Sequence, residues 1–198
     1  MEKLQNEKLE LIAGVHSKNG NSFCGDTYFF AQEGSSFICL LADGLGSGRY
    51  AYESSQAAAE IVKRDWLSES IEEMMNLINT AMFQKRGAAV ALFKIDFETR
   101  KFEYTCVGNI RFYLYAKDGK LTYPLPVTGY LSGRPQRYRM ERFTYEPGSK
   151  FLVHSDGVNL LNTKELMRYR NAEQIAAELD AVALQSNDDA TFLVGNLL

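Results

Sequence analysis

The sequence predicts a layered α/β sandwich, mixed α+β in class, with mostly antiparallel strands. Three observations carry this expectation. Strand-like runs occupy residues 8 to 43, two helical stretches follow, and a series of β-like segments then leads to two short helices and a last strand. Strands, helices and strands arranged in blocks, without alternating βα units, argue for stacked layers.

The first three runs, around Leu9 to His16, Thr27 to Gln32 and Ser36 to Ala42, are separated by Gly and Ser turns. A helix is expected from Ser47 or Arg49 to about Trp66, with Ala51, Ser55, Ala58 and Ala59 small enough for close packing. A second follows Ser70, which has capping-box spacing to Glu73. Ile71, Met74, Met75, Ile78 and Met82 recur along it at helical intervals, the methionines as core filler. Beyond Arg86-Gly87 the segments Ala88 to Asp96, Lys101 to Val107, Arg111 to Ala116, Lys120 to Tyr123, Tyr138 to Tyr145 and Lys150 to Ser155 imply an antiparallel meander. Helices near Lys164 to Arg170 and Ala172 to Gln185 precede a strand at Thr191 to Val194.

The 198 residues suit one domain, residues 1–198, able to bury about 70 % of the surface of the unfolded chain. A net charge of −3 gives no footprint for nucleic acid, although Arg134, Arg137, Arg139 and Arg142 form a local basic cluster suited to a solvated face or an acidic or phosphorylated partner. Cys24, Cys39 and Cys106 lack Cys-x-x-Cys spacing and read as reduced core thiols of a cytoplasmic protein. The polar start Met1 to Lys8 is no signal peptide, and no apolar run approaches the roughly 20 residues of a membrane span. A soluble protein is expected.

Two apolar runs end in Asp-Gly, at Asp43-Gly44 and Asp156-Gly157; Asp188-Asp189 opens the last run and Asp26 heads an earlier one. Asp-Gly alone reads as a turn, because Gly takes positive φ and Asp tolerates it. Four hard oxygen donors at separate strand ends instead suit Mg²⁺ or Mn²⁺. Gly44, Gly46 and Gly48 form G-x-G-x-G rather than G-x-G-x-x-G, and Asp43 would repel a pyrophosphate, so a nucleotide-dependent oxidoreductase ranks below a metal loop. Cys106 and Arg111 are five apart, where cysteine phosphatase chemistry needs six. His16 and His154 neighbour no nucleophile elbow, and His154 reads as a strand side chain.

Cys24-Gly25-Asp26, Leu41 to Gly48, Glu53-Ser54-Ser55, Lys85 to Ala88, Val107 to Phe112 and Asp188 to Thr191 occur in an order and spacing that resemble the PP2C-type metal-dependent serine/threonine phosphatases. The resemblance lies in the compact bacterial branch that includes the sporulation phosphatase SpoIIE and the stressosome phosphatases, and it covers nearly the whole chain. It implies an αββα sandwich, two central antiparallel sheets flanked by helices. Asp43 would bridge two ions, Asp156 and Asp188 would complete one site, and the Gly44 carbonyl would serve the other. Asp26 matches the acidic residue that orients metal-bound water. The implied reaction is direct attack of that water on phosphoserine or phosphothreonine without a phosphoenzyme. The implied partners are phosphorylated STAS-domain stressosome proteins, met by a monomer.

Several positions depart from the larger family members. Gly25 stands where many have Glu, and Leu45 where many have His. The first arginine is Arg49, so phosphate recognition falls to the metals and to Arg111 or Arg49, Arg111 having an even alternative as a surface strand residue. A catalytically inactive binding module of the same fold is the main rival reading, and retention of Asp26, Asp43, Asp156 and Asp188 argues against it. The Pro- and Gly-rich segment from Pro124 to Arg139 is the expected site of partner recognition.

Overall fold

A computed structural model describes residues 1–198. In chain order the strands are β1 (Glu2–Gln5), β2 (Leu9–His16), β3 (Asp26–Glu33), β4 (Ser36–Gly44), β5 (Ala88–Asp96), β6 (Lys101–Val107), β7 (Arg111–Tyr115), β8 (Leu121–Thr122), β9 (Glu141–Thr144), β10 (Lys150–His154) and β11 (Ala190–Leu197). The helices are α1 (Arg49–Asp65), α2 (Ile71–Ala81), α3 (Thr163–Leu166) and α4 (Ala172–Leu184). One sheet has the order β1-β2-β11-β10-β7-β8, the other β3-β4-β5-β6-β9. Every strand pairing is antiparallel.

Side-chain alternation builds the layers. Along β4, Phe37, Cys39 and Leu41 face the core between the sheets, whereas Ile38, Leu40 and Ala42 face the layer that contains α1 and α2. Along β10 and β11, Phe151, Val153 and Leu193 face inward while Leu152, Phe192 and Val194 pack with the apolar side of α4. Strands covered on both faces must be apolar throughout, which explains the unbroken runs that precede the Asp-Gly pairs. Edge-to-face pairs of Phe93 with Phe112 and Phe151, both with centroids 5.2 Å apart, sit at the centre. Each such pair adds about 0.5–1.5 kcal/mol to the burial energy.

The small residues of α1 do what their size allows. Ala51, Ser54, Ser55, Ala58 and Ala59 are buried, and Ser55 Oγ lies 2.9 Å from Thr27 Oγ1, which also accepts from Gln56 Nε2. The helix is thus tied to β3 one residue beyond Asp26. Ser70 caps α2 by accepting from the Glu73 N–H, worth about 1 kcal/mol.

The single meander expected after Gly87 does not form. β5, β6 and β9 belong to one sheet, and β7, β8 and β10 to the other, so the chain crosses between sheets at Gly108–Ile110. Gly108 makes that crossing possible, with φ at +122° and Ala89 Cβ only 2.3 Å from where its own Cβ would be. The polar first residues pair with β2 as an edge strand, which period-two alternation could not reveal in so short a segment. The helix expected at Lys164 to Arg170 is the shorter Thr163–Leu166, begun by an Asn162 cap. Cys39 and Cys106 are core residues, but Cys24 is half-buried; all three are free thiols. No helix is long and apolar enough to cross a membrane.

Candidate metal centre

The sheets meet at one end, where the four acidic strand ends are brought together. Asp26 begins β3 and is paired in register with Asp43 near the end of β4. Asp156 lies two residues beyond β10, and Asp188 two residues before β11. Asp43, Asp156 and Asp188 line a depression of about 270 Å³, together with Leu45, Gly46 and Asn109. A larger hollow of about 490 Å³ at the β6/β9 edge is an open sheet margin where Arg142 is paired with Glu103.

Hydrogen bonds across the two sheets fix the site. Ser155 Oγ donates to Asp26 Oδ2 at 2.6 Å and accepts from the Thr191 N–H at 2.9 Å. Asp189 accepts from the Gly25 N–H at 2.7 Å and from the Lys18 N–H at 2.8 Å. Asn109 Nδ2 donates to Asp156 Oδ2 at 2.7 Å, and Lys18 Nζ reaches Asp188 Oδ1 at 3.4 Å. Asp43 has no donor of this kind. Sequence reasoning missed the supporting roles of Ser155, Asn109 and Asp189. Asn109 and Asp189 stood inside family-like motifs, which was the available signal, whereas Ser155 had none beyond its place before Asp156.

The glycines of both Asp-Gly pairs are not turn glycines of the positive-φ kind. Neither Gly44 nor Gly157 has a positive φ. A Cβ on Gly44 would sit 1.9 Å from the Ala51 carbonyl oxygen in the first turn of α1, and one on Gly157 would sit 2.0 Å from the Asp189 carbonyl oxygen. Both are close-approach glycines that let a helix and a strand end press against the acidic loops. At Gly25, where larger family members carry Glu, a Cβ would meet Asp189 Oδ2 at 2.9 Å.

The electrostatics are those of a site short of positive charge. Burial pushes the Asp26 carboxyl well above its ordinary range, and the Ser155 hydrogen bond reverses only part of that. Asp43 is raised to about 8, by burial first and then by the charges of Asp26, Asp156, Asp188 and Asp189. Asp156 is raised by burial and by Asp188, against the pull of Asn109. His154 is a core residue, as expected of a strand side chain: burial lowers it to about 4, Nδ1 donates to the Ser155 carbonyl at 2.8 Å, and Nε2 has no partner.

These donors fit a hydrated divalent cation. All are carboxylate or carbonyl oxygens, and Asp43 lacks an internal partner for its charge. Mg²⁺ keeps several of its waters and is held by one or two carboxylates, a demand that this donor set meets. Of the two candidate phosphate arginines, Arg49 lies along its own helix with Nε 2.7 Å from Glu53 Oε1, an exposed, solvent-screened pair. Arg111 is exposed at the start of β7, opposite His154.

Residues 34–196 match the family described as Stage II sporulation protein E, SpoIIE. The phosphoserine phosphatase RsbX of Bacillus subtilis (strain 168) is 41 % identical over 194 residues, covering 98 % of this chain and 97 % of its own. A crystal structure of RsbX in complex with magnesium superposes with a TM-score of 0.95 at 40 % identity, covering all of this chain and 99 % of the other. A chain described under "The bacterial stressosome: a modular system that has been adapted to control secondary messenger signaling" shares the fold at a TM-score of 0.84 and 24 % identity, covering 96 % and 100 %. With carboxylates of two facing sheets gathered at one end and this likeness over its whole length, the chain belongs to the SpoIIE family of PP2C-fold phosphatases.

Proposed function

We propose that this chain is a Mg²⁺- or Mn²⁺-dependent protein phosphatase that removes phosphate from phosphoserine or phosphothreonine on STAS-domain proteins of a stressosome, and so resets a general stress response. The observation that carries this reading is the convergence of Asp43, Asp156 and Asp188 from separate strand ends into one depression, with Asp26 buried directly opposite Asp43 across the β3–β4 pairing and Asp43 unmatched. The likeness to a phosphoserine phosphatase over nearly the whole chain, and to a stressosome chain in fold, supports the choice of substrate.

In this reading Asp43 would serve both of two ions, Asp156 and Asp188 would hold one of them, and the Gly44 carbonyl would hold the other. The ions, when bound, neutralise phosphate charge and lower the pKa of a water. Asp26 acts on the proton of the attacking water. The Ser155 hydrogen bond to its Oδ2 would hold that carboxylate in place for this role. Asn109 holds Asp156 in place from the β6–β7 crossing. Leu45, which lines the depression, has no titratable group with which to protonate the leaving serine. Arg111, exposed at the start of β7 two residues beyond Asn109, would be a candidate to contact the phosphate.

The direct test is phosphate release from a phosphorylated STAS-domain protein. Chelation abolishes release and Mn²⁺ or Mg²⁺ restores it. Absence of release at saturating metal would overturn the proposal.

A further inference from the structure

We infer that Arg86 grips the phosphoryl group beside the metal depression. The inference rests on the phosphatase reading and adds to it a residue that the sequence did not single out.

Backbone pairing puts Arg86 there. β4 and β5 are in register through Asp43 opposite Ala89 and Gly44 opposite Ala88, and the pairing runs on beyond both strands as the Leu45 N–H donates to the Gly87 carbonyl at 3.0 Å. The next position faces Arg86 toward Gly46. A methyl group built on Gly46 would lie 2.6 Å from Arg86 Nη1, so the guanidinium rests on the bare backbone of the acidic loop. Gly46 itself lines the depression with Asp43, Asp156 and Asp188.

The arginine is held but not neutralised. Its guanidinium carbon lies 5.3 Å from the centroid of Tyr50, a cation–π contact that orients the planar fork. It makes no ion pair. Arg86 lines a second hollow, on the other side of the Gly46 loop from the depression, with Tyr50, Glu53, Gln84 and Lys85, and the Glu53 carboxylate there is taken by Arg49 Nε. An exposed, oriented guanidinium with no internal anion, resting on the Gly46 loop that lines the acidic depression, has the fork geometry for bidentate binding of a phosphate monoester. Tyr50 and Gly46 set its position, and Arg49 keeps the neighbouring acid away from it.

The test is calorimetric titration of inorganic phosphate into the Mg²⁺-loaded protein, beside separate Mg²⁺ titrations, for wild type, Arg86→Met, Arg86→Ala and Arg86→Lys. Met keeps the stem on Tyr50 and removes the charge. Phosphate affinity is expected to fall about 10- to 100-fold in both Met and Ala, with part recovered by Lys and Mg²⁺ affinity unchanged. The KM for a small aryl phosphate should rise with it. Unchanged phosphate affinity in Arg86→Ala would overturn the inference. So would an equal loss of Mg²⁺ affinity, which assigns Arg86 to holding the Gly46 loop. A wild-type protein that binds phosphate and shows this arginine dependence, yet releases none from any phosphoprotein, would sink the phosphatase reading and leave Arg86 as an anion-binding residue.

Discussion

Asp26 and Asp43 stand directly opposite each other across the β3–β4 pairing, two carboxylates on one face of one sheet. Opposed like charges destabilise a sheet, and burial makes the cost larger. Next to them Thr27 faces Ala42 and Tyr28 faces Leu41, ordinary strand partners. The fold therefore gives up stability at one rung, and a bound cation recovers it.

Asp43→Asn removes one of the opposed charges. Phosphatase activity should fall to background while the domain stays folded. The metal-free variant should be more stable than wild type by about 1–2 kcal/mol near neutral pH, a rise in Tm of roughly 2–8 °C. Undiminished turnover would exclude a bridging role for Asp43, and circular dichroism melts in chelator read the stability.

The same mismatch sets a pH dependence. Asp43 titrates near 8 in the fold, above its unfolded value of 3.8. Between those values the folded state holds the extra proton, so this stabilisation is complete below the unfolded value and is lost as pH rises through about 8. His154, buried and lowered to about 4, acts in the opposite sense, but its contribution is complete by about pH 7. The metal-free protein should therefore melt lower at about pH 8.5 than at about pH 7. Added Mg²⁺ should raise Tm more at the higher pH, and Asp43→Asn should flatten the difference. A metal-free Tm that rises across this interval would contradict the assignment.

Ser155 links Asp26 of one sheet to the Thr191 N–H of the other. Ser155→Ala leaves a buried N–H unpaired and should cost about 1–3 kcal/mol. Asp26→Asn keeps the Ser155 contact through its amide oxygen, so it should lower turnover with little loss of stability. Calorimetry on Asp26→Asn should still detect the tighter metal. Loss of all metal binding would make Asp26 an essential ligand of that ion rather than a group acting on water.

Gly44→Ala and Gly157→Ala test the close approach directly. The added methyl on Gly44 meets the Ala51 carbonyl and that on Gly157 meets the Asp189 carbonyl, and backbone has no rotamer with which to escape. Each should destabilise by about 3 kcal/mol or more. The outcome separates sterics from φ, because an ordinary Asp-Gly turn would lose much less when its glycine has negative φ.

Much of this architecture was legible because the central strands are covered on both faces. Ile38 to Ala42 and Phe151 to Val153 had to be unbroken apolar runs, and the carboxylates that end them are conspicuous against that background. The spacing of Ser70, Ile71, Met74 and Ile78 gave α2 with its cap. What stayed hidden depends on contacts between residues far apart in sequence. Nothing local shows that β6 and β7 lie in different sheets, that Asp189 is spent on the Gly25 and Lys18 N–H groups, or that Arg86 lies over Gly46. Arg49 was a candidate phosphate ligand as the first arginine of the sequence, and its pairing with Glu53 four residues on is a contact that only the helix reveals.

The segment from Pro124 to Arg139 is not a slack connection. Val127 bridges to Val107 and Leu131 to Ala88, Asn79 Oδ1 accepts from the Ser132 and Gly133 N–H groups at 3.1 Å, and the Tyr138 hydroxyl donates to the Met75 carbonyl. The Tyr130 ring lies against Gly87, whose carbonyl is bonded to Leu45 in the metal loop. A rigid surface is thus presented next to the site. Of its arginines, Arg139 is drawn to Glu141, and Arg142 beyond the segment is paired with Glu103, whereas Arg134 and Arg137 are exposed and make no ion pair. Replacing Arg134 and Arg137 with Ala therefore breaks no internal pair and should leave Tm unchanged. Dephosphorylation of a folded STAS-domain partner should slow by about tenfold in kcat/KM, more at low salt than at high, because exposed charges act mainly on encounter. Hydrolysis of a small aryl phosphate should be nearly unchanged. Equal losses on both substrates would move the segment into the catalytic site, and no loss on either would make it a surface connection only.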